Sequence, residues 1–348
     1  MAENAHTQNA EIVPVGSDPI PAFVGSLPAD LREQMTKAVK AWKLRTPSPH
    51  TRRAYESDLD QFLAHVGIEA GAWEQLAAVR PEDVAAWRER LAEAGMTNSS
   101  IRRKLTALRS LFSYLKTYGY AGANPAHGDF VSAPAVARDG KTVGLSPHDC
   151  RRLLDAPQVE DLTIKDEAKR ILPVGIRDRA MLAVLGYSAC RVGELVKLRV
   201  RDFRANGEHR VLNITGKGNK ERTTPLHLEA VEKLAAWLAL PGIGDDPAAP
   251  LFRPQKSVRG NGRDGFRPKP MTTRAVEKLI TRYVEALKLD PNVTVHSLRV
   301  TALTTARERG SDIIDLQDFA GHADPRTTLT YIRSRDRLSK SPAYVLKY

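Results

Sequence analysis

Apolar residues recur at the three- and four-residue spacing of a helix through most of this chain, and only one stretch reads instead as a pair of strands. Leu31, Met35, Val39 and Trp42 mark a first helix. Thr51 stands where a cap belongs for a second, whose apolar stripe is Tyr55, Leu59, Phe62, Leu63 and Val66. Pro81, Glu82 and Asp83 open a third around Val84, Trp87 and Leu91, with Gly95 as its stop. Asn98 or Ser99 opens a fourth, which buries Ile101, Leu105, Leu108, Leu111, Phe112 and Leu115. The first part of the chain is therefore expected to be an all-helical bundle of four or five short helices.

The stretch Gly119 to Gly144 is rich in Gly, Ala and Pro and reads as a helix end followed by an interdomain linker. Leu145-Ser146-Pro147-His148-Asp149 restarts helical structure with a cap and an N1 proline. Strands are expected at Arg210 to Thr215 and Arg222 to Leu226, with Gly216-Lys217-Gly218-Asn219 as the turn. Helices return at Leu226 to Leu240, Thr273 to Leu289 and His296 to Arg309. Between them, Leu251 to Pro270 holds six Lys or Arg against one acid and reads as a mobile basic loop, beside DNA or simply in solvent. The expected fold class is mainly α, an N-terminal helical bundle plus a mixed, mostly helical domain with a small antiparallel β element. The expected division is a flexible arm over 1–25, a helical domain over 26–128, a linker over 129–144, a second domain over 145–335 and a tail over 336–348. Two domains suit a chain of 348 residues.

Composition narrows the partners. Formal charge is +12, from 53 Lys and Arg against 41 Asp and Glu, an excess that favours a polyanion such as nucleic acid. Cys150 and Cys190 are the only cysteines, which excludes a disulfide scaffold and a zinc finger and fits a reducing compartment. The first residues lack the basic and apolar regions of a secretion signal, and no apolar run is long enough to cross a bilayer. A cytoplasmic, nucleoid-associated protein without membrane contact is expected.

The second half carries an ordered set of polar residues: Arg191 in C-R-V-G-E-L, Lys217 in T-G-K-G-N-K-E-R, His296 and Arg299 in H-S-L-R, His322 in G-H, and Tyr331 in L-T-Y-I-R. Taken singly, each has a plain reading as a surface charge, a structural histidine or a half-buried tyrosine. Together they suit phosphoryl transfer through a tyrosine, which conserves a phosphodiester bond covalently without an external energy source. The barrier is charge on the non-bridging oxygens, so two guanidinium groups on one phosphate are the expected apparatus. A proton donor must serve the departing sugar oxygen, and an imidazole must assist attack. His296 and Arg299 lie three apart, on one helical face. No acidic cluster of the kind that holds two metal ions occurs.

The stretches A-C-R-V-G-E-L-V-K-L, I-T-G-K-G-N-K-E-R-T-T-P-L, V-H-S-L-R-V-T-A-L-T and F-A-G-H-A-D-P-R-T-T-L-T-Y-I resemble the tyrosine recombinase family. The resemblance covers roughly residues 145 to 335, and the helical part before it looks like the family's core-binding domain. It implies that Arg191 and Arg299 clamp the scissile phosphate and that Tyr331 attacks it, leaving a 3′-phosphotyrosyl bond and a free 5′-hydroxyl. Lys217 would be the general acid, with Lys220 contesting that role. His296 would be the base or a proton-sharing partner, and His322 would hydrogen-bond the phosphate. Glu194 would support the site, or simply pair within its own helix.

The implied partners are double-stranded DNA with a short, partly palindromic site and three further copies of the chain. This homotetramer would hold two duplexes, clamp each between its domains, and pass through a Holliday junction. No cofactor or metal is implied. The layout resembles the simple Cre-like and Xer-like recombinases, without a separate arm-binding domain, and the tail with Tyr344, Val345 and Leu346 would dock on a neighbouring subunit. Candidate DNA contacts are Arg52, Arg53, Arg102, Arg103, Lys104, Lys220 and Arg222, with phosphate contact the expected role. A type IB topoisomerase, a telomere resolvase and a catalytically silent DNA-binding protein are the competing readings.

Overall fold

Helix ends in this chain are set by short side chains that accept hydrogen bonds from otherwise unpaired amides. In the computed structural model, which describes residues 29–136, 142–166, 170–257 and 264–331, the chain divides between Ala137 and Arg138 into two units. The first holds α1 (Ala29–Arg45), α2 (Pro49–Val66), a 3₁₀ turn (Trp73–Ala78), α3 (Pro81–Glu93) and α4 (Asn98–Thr117). Ser48, not Thr51, caps α2, because Pro49 fills its first position and the Thr51 amide donates to Ser48. Thr97 caps α4, one residue before the expected Asn98.

The predicted stripes meet in one core. Met35, Val39, Trp42, Phe62, Trp87, Leu105, Leu111 and Phe112 are all buried, with the Phe62 and Trp87 rings edge to face at 5.2 Å. The first part of the Gly/Ala/Pro stretch after α4 is bound to that helix. Arg109 donates to the carbonyls of Ala126 and Val131, and Asn124 donates to Arg109 and Ser113. The linker was expected from residue 129, and these side-chain to backbone bonds carry the bundle three residues further, to Val131.

Lys104, expected to reach DNA, is 3% exposed and donates to Asp58 at 3.0 Å and Gln61 at 2.5 Å. Arg103 pairs with the same carboxylate. Asp58 is itself buried, so this is a core ion pair with its acceptors satisfied, and the structure places Lys104 inside the bundle rather than on its surface. Arg102 and Arg53 are exposed, while Arg52 is half-buried and donates to Pro47.

The second unit contains α5 (Pro147–Asp155), α6 (Pro173–Ser188), α7 (Val192–Leu195), a sheet, and then α8 (Leu228–Leu238), α9 (Thr273–Ala286), α10 (Val295–Glu308), α11 (Ile313–Ala320) and α12 (Pro325–Tyr331). Helix α6 is apolar on every side from Ala180 through Leu185, all buried, and forms the hub. Helices α5, α8 and α10 pack on it. The sheet is an antiparallel order β1-β2-β3: β1 (Phe203–Asn206), β2 (His209–Thr215) and β3 (Glu221–Pro225), with Thr215 opposite Glu221. The β2–β3 pair occupies the predicted place. Strand β1 was not expected, since F-R-A-N is short and polar and pairs only because a Gly207 turn folds it onto β2.

The basic segment after Leu251 is not wholly a loop. Leu251, Phe252 and Arg253 are buried, and Arg253 donates to the carbonyls of Pro250, Gly242 and Ile243. Gln255 bridges Phe266, whose ring meets Trp237 edge to face. The expected arm over 1–25 and the tail over 336–348 lie outside the described residues.

Candidate active site

The start of α7 and strand β3 meet on one carboxylate in the second unit. Helix α6 ends at Ser188, and the chain turns through Ala189 in the left-handed region (φ 49) to bring Arg191 to the start of α7. Three residues on, Glu194 accepts from the Arg191 backbone amide at 2.9 Å and from its guanidinium at 2.8 Å. The other partner of Glu194 comes from the sheet: Arg222 on β3 donates to it at 2.8 Å. Arg222 was a candidate DNA contact, but its side chain is 12% exposed and occupied with Glu194. Burial raises the Glu194 pKa, yet the bonds from Arg222 and Arg191 outweigh it and leave the carboxyl below its ordinary range.

Arg222 also lies beneath the turn that carries His322. A Cβ on Gly321 would sit 2.9 Å from Arg222 Nη1, and Gly321 has φ 62, so glycine answers two demands at once. Gly216 is likewise close-fitted, its Cβ position 3.3 Å from Glu194 Oε1. That contact docks the strand turn. Lys217 opens the 3₁₀ turn Lys217–Asn219, and Lys220 beyond it is exposed.

Helix α10 supplies His296 from its first turn and Arg299 from its second. Arg299 is 1% exposed. Its guanidinium donates to the carbonyls of Ala189 and of Ala320 (2.6 Å), and to His322 Nε2 at 2.7 Å. The left-handed backbone at Ala189 thereby serves the site, turning a helix-terminal carbonyl onto Arg299. His322 Nδ1 lies 2.9 Å from the hydroxyl of Thr328 on α12, and Gln317 donates to the His322 carbonyl at 3.1 Å. Tyr331 ends that same helix.

Both imidazoles are held neutral at neutral pH. Burial and the cations of Arg299, Arg191 and Arg222 push His322 down to about 4, against an opposing pull from Glu194. Burial and the same Arg299 and Arg191 charges lower His296. A neutral imidazole is the form able to take a proton.

The structure thus brings Arg191, Glu194, His296, Arg299 and His322 into one polar group, with the backbones of Lys217 and Tyr331 on the adjoining turn and helix. The sequence marked a break between two apolar helices at Ser188 and Ala189, and the structure has one there. Sequence reading passed over Thr328, the carbonyl contact of Ala189 with Arg299 and the Glu194 contact of Arg222, although Thr328 stands three before Tyr331, a helical spacing that was open to notice. Among the described residues no three His, Cys, Asp or Glu side chains gather as a metal cluster, and no helix is long and apolar enough to cross a membrane.

A helical unit followed by a mostly helical unit with a three-stranded sheet, carrying two arginines and two imidazoles beside a tyrosine-bearing helix, defines a protein built for phosphoryl transfer. Residues 145–337 match the phage integrase family, and residues 42–119 match the phage integrase N-terminal SAM-like domain. The tyrosine recombinase XerC of Pelobacter propionicus is 32% identical over 314 residues, spanning 88% of this chain and 94% of that protein. XerC of Vibrio vulnificus is 31% identical and spans 88% of each. Among solved structures, the Tn1549 transposon integrase in complex with transposon right end DNA has a TM-score of 0.65 at 18% identity, covering 90% of this chain and 98% of that one. A lambda integrase dimer bound to a COC′ core site has a TM-score of 0.62 at 17% identity, covering 87% of this chain and 96% of that one. The chain belongs to the phage integrase family of tyrosine recombinases. It is an enzyme that binds DNA and breaks and rejoins it through a tyrosine.

Proposed function

We propose that this chain is a simple site-specific recombinase in which Tyr331 is the nucleophile and Arg191 and Arg299 hold the scissile phosphate. Tyr331 Oη forms a bond to phosphorus as the bond to the 5′ oxygen breaks, giving a 3′-phosphotyrosyl link. The tyrosine proton passes to His296, and Lys217 gives a proton to the departing 5′ oxygen, with Lys220 as the competing donor. Attack by another strand's 5′-hydroxyl reverses these transfers and makes the tyrosine the leaving group. Four copies on two duplexes, exchanging strands in turn through a Holliday junction at a partly palindromic site, complete the reaction in the compartment that holds the chromosome.

The observation that carries this reading is the grouping of Arg191, His296, Arg299 and His322, with His322 bonded to Thr328 on the helix α12 whose last residue is Tyr331. A surface of unrelated charges has no reason to bury Arg299 to 1% or to hold two imidazoles neutral. Covalent capture tests it. Wild type and Tyr331→Phe are incubated with fragmented genomic DNA, denatured, and the protein-linked DNA is sequenced. Recovery by wild type alone is expected, with an inverted repeat in the captured sites. Adducts formed by the phenylalanine variant would show that another residue attacks. Relaxation of supercoiled DNA without strand exchange would make the protein a topoisomerase.

A further inference from the structure

We propose that Thr328 is a positioning residue for the attack by Tyr331: it accepts a hydrogen bond from His322 Nδ1–H, ties the imidazole that receives Arg299 to α12, and so sets the register of α12. This rests on the assignment of Tyr331 as nucleophile under the proposed function.

A guanidinium has donors only, so the 2.7 Å contact between Arg299 Nη2 and His322 Nε2 requires Nε2 to be the acceptor. With the imidazole neutral, its one proton then sits on Nδ1, 2.9 Å from Thr328 Oγ1. Thr328 is fully buried, so an unmet donor on the imidazole would have no water to turn to. One directed chain of bonds follows: Arg299 donates to Ala189, Ala320 and His322, and His322 donates to Thr328.

Helix α12 has seven residues, too few to hold a place by helical propensity alone. Thr328 is three positions before Tyr331, so a slide or rotation of α12 that this bond resists displaces the tyrosine backbone equally. A displacement of about 1 Å in a reacting group is enough to cost on the order of 100-fold in rate. The bond therefore links the phosphate-holding arginine to the nucleophile's helix through an imidazole that makes one bond to each side.

The test uses the full-length protein and an oligonucleotide duplex carrying a site recovered by covalent capture. DNA affinity, the single-turnover rate of adduct formation, and the ¹⁵N shifts of the His322 ring are measured for wild type, Thr328→Val and Thr328→Ser. Wild type should show a protonated Nδ1. The valine variant should bind DNA within about twofold of wild type, form adduct roughly 10- to 100-fold more slowly, and keep its proton on Nδ1 while losing the hydrogen-bonded shift of that nitrogen. The serine variant should recover the rate to within about threefold, since it keeps the acceptor. A valine variant cleaving at the wild-type rate, or a wild-type His322 protonated at Nε2, would overturn the proposal. Should the valine variant melt early, the serine rate and the wild-type tautomer decide the matter. If wild type forms no adduct on any DNA, the nucleophile assignment fails, and the ring shifts still report the tautomer.

Discussion

Glu194 and Arg222 are joined by a 2.8 Å hydrogen bond that fastens the four-residue helix α7 to strand β3, with the two side chains 6% and 12% exposed. The same carboxylate holds Arg191, so the strand and the arginine proposed to hold the phosphate share one anchor. Arg222→Ala is expected to lower stability by about 2 kcal/mol, the cost of leaving a buried carboxylate short of a donor. Adduct formation should fall with it, by about 10-fold or more, because Arg191 loses its fixed partner. Urea denaturation and single-turnover cleavage measure both. Loss of DNA affinity with unchanged stability would return Arg222 to the role of a phosphate contact.

Lys104 and Arg102 are expected to part company, although they lie two residues apart. Lys104→Met removes one cation from the buried Asp58 site and should cost about 3 kcal/mol of unfolding free energy. Arg102→Ala, at an exposed position, should leave stability within about 0.5 kcal/mol. If Arg102 meets a phosphate, the slope of log affinity against log salt should also fall by about 1. Thermal melts and salt titrations of DNA binding separate the two. A stable Lys104→Met protein with a reduced slope would contradict the core assignment.

The histidines predict an acid-sensitive fold. His322 has a folded pKa of about 4, below its ordinary 6.5, so the folded state resists protonation. Its contribution is fully present above about pH 6.5 and declines as pH falls toward about 4, because the unfolded chain takes up the proton first. His296 is lowered too and acts in the same sense. Glu194 has the opposite chemistry: its depressed pKa contributes stability above about 4.5 that disappears only at lower pH. Melting temperature should therefore fall between about pH 6.5 and 4.5, and His322→Gln should flatten that slope. An unchanged slope in the variant would show that His322 is not the titrating group.

The choice between Lys217 and Lys220 as the acid can be made with a duplex whose 5′ leaving oxygen is replaced by sulfur. A thiolate leaves without a proton, so the variant lacking the true donor recovers on this substrate and the other does not. Lys217→Ala is expected to be rescued. Rescue of Lys220→Ala alone would transfer the role.

Much of the fold was legible because helices in this chain bury continuous stripes. Leu59, Phe62, Leu63 and Val66 read as one face from spacing alone, and they are one face of the core. The β2–β3 pair was legible because Gly216 to Asn219 are turn residues. Strand β1 was not, since a polar four-residue strand exists only through its partner. Lys104 misled for a related reason. A basic triplet looks like a phosphate contact until Asp58, on another helix, is seen to face it.

The order and spacing of Arg191, Lys217, His296, Arg299, His322 and Tyr331 were determined by the sequence itself, and with them the family and its reaction. Local chemistry was enough for that, because each residue sits in a short run whose turn or helix is set by its immediate neighbours. Tertiary structure alone decided what Arg299 and His322 touch. Arg299 meets His322 and Ala189, and Arg222 meets Glu194, across 23, 110 and 28 residues of chain. Such pairs are made by how α6, the sheet, α10 and α12 pack around a common core, and packing depends on side-chain shape across the whole unit, which no local run of sequence records.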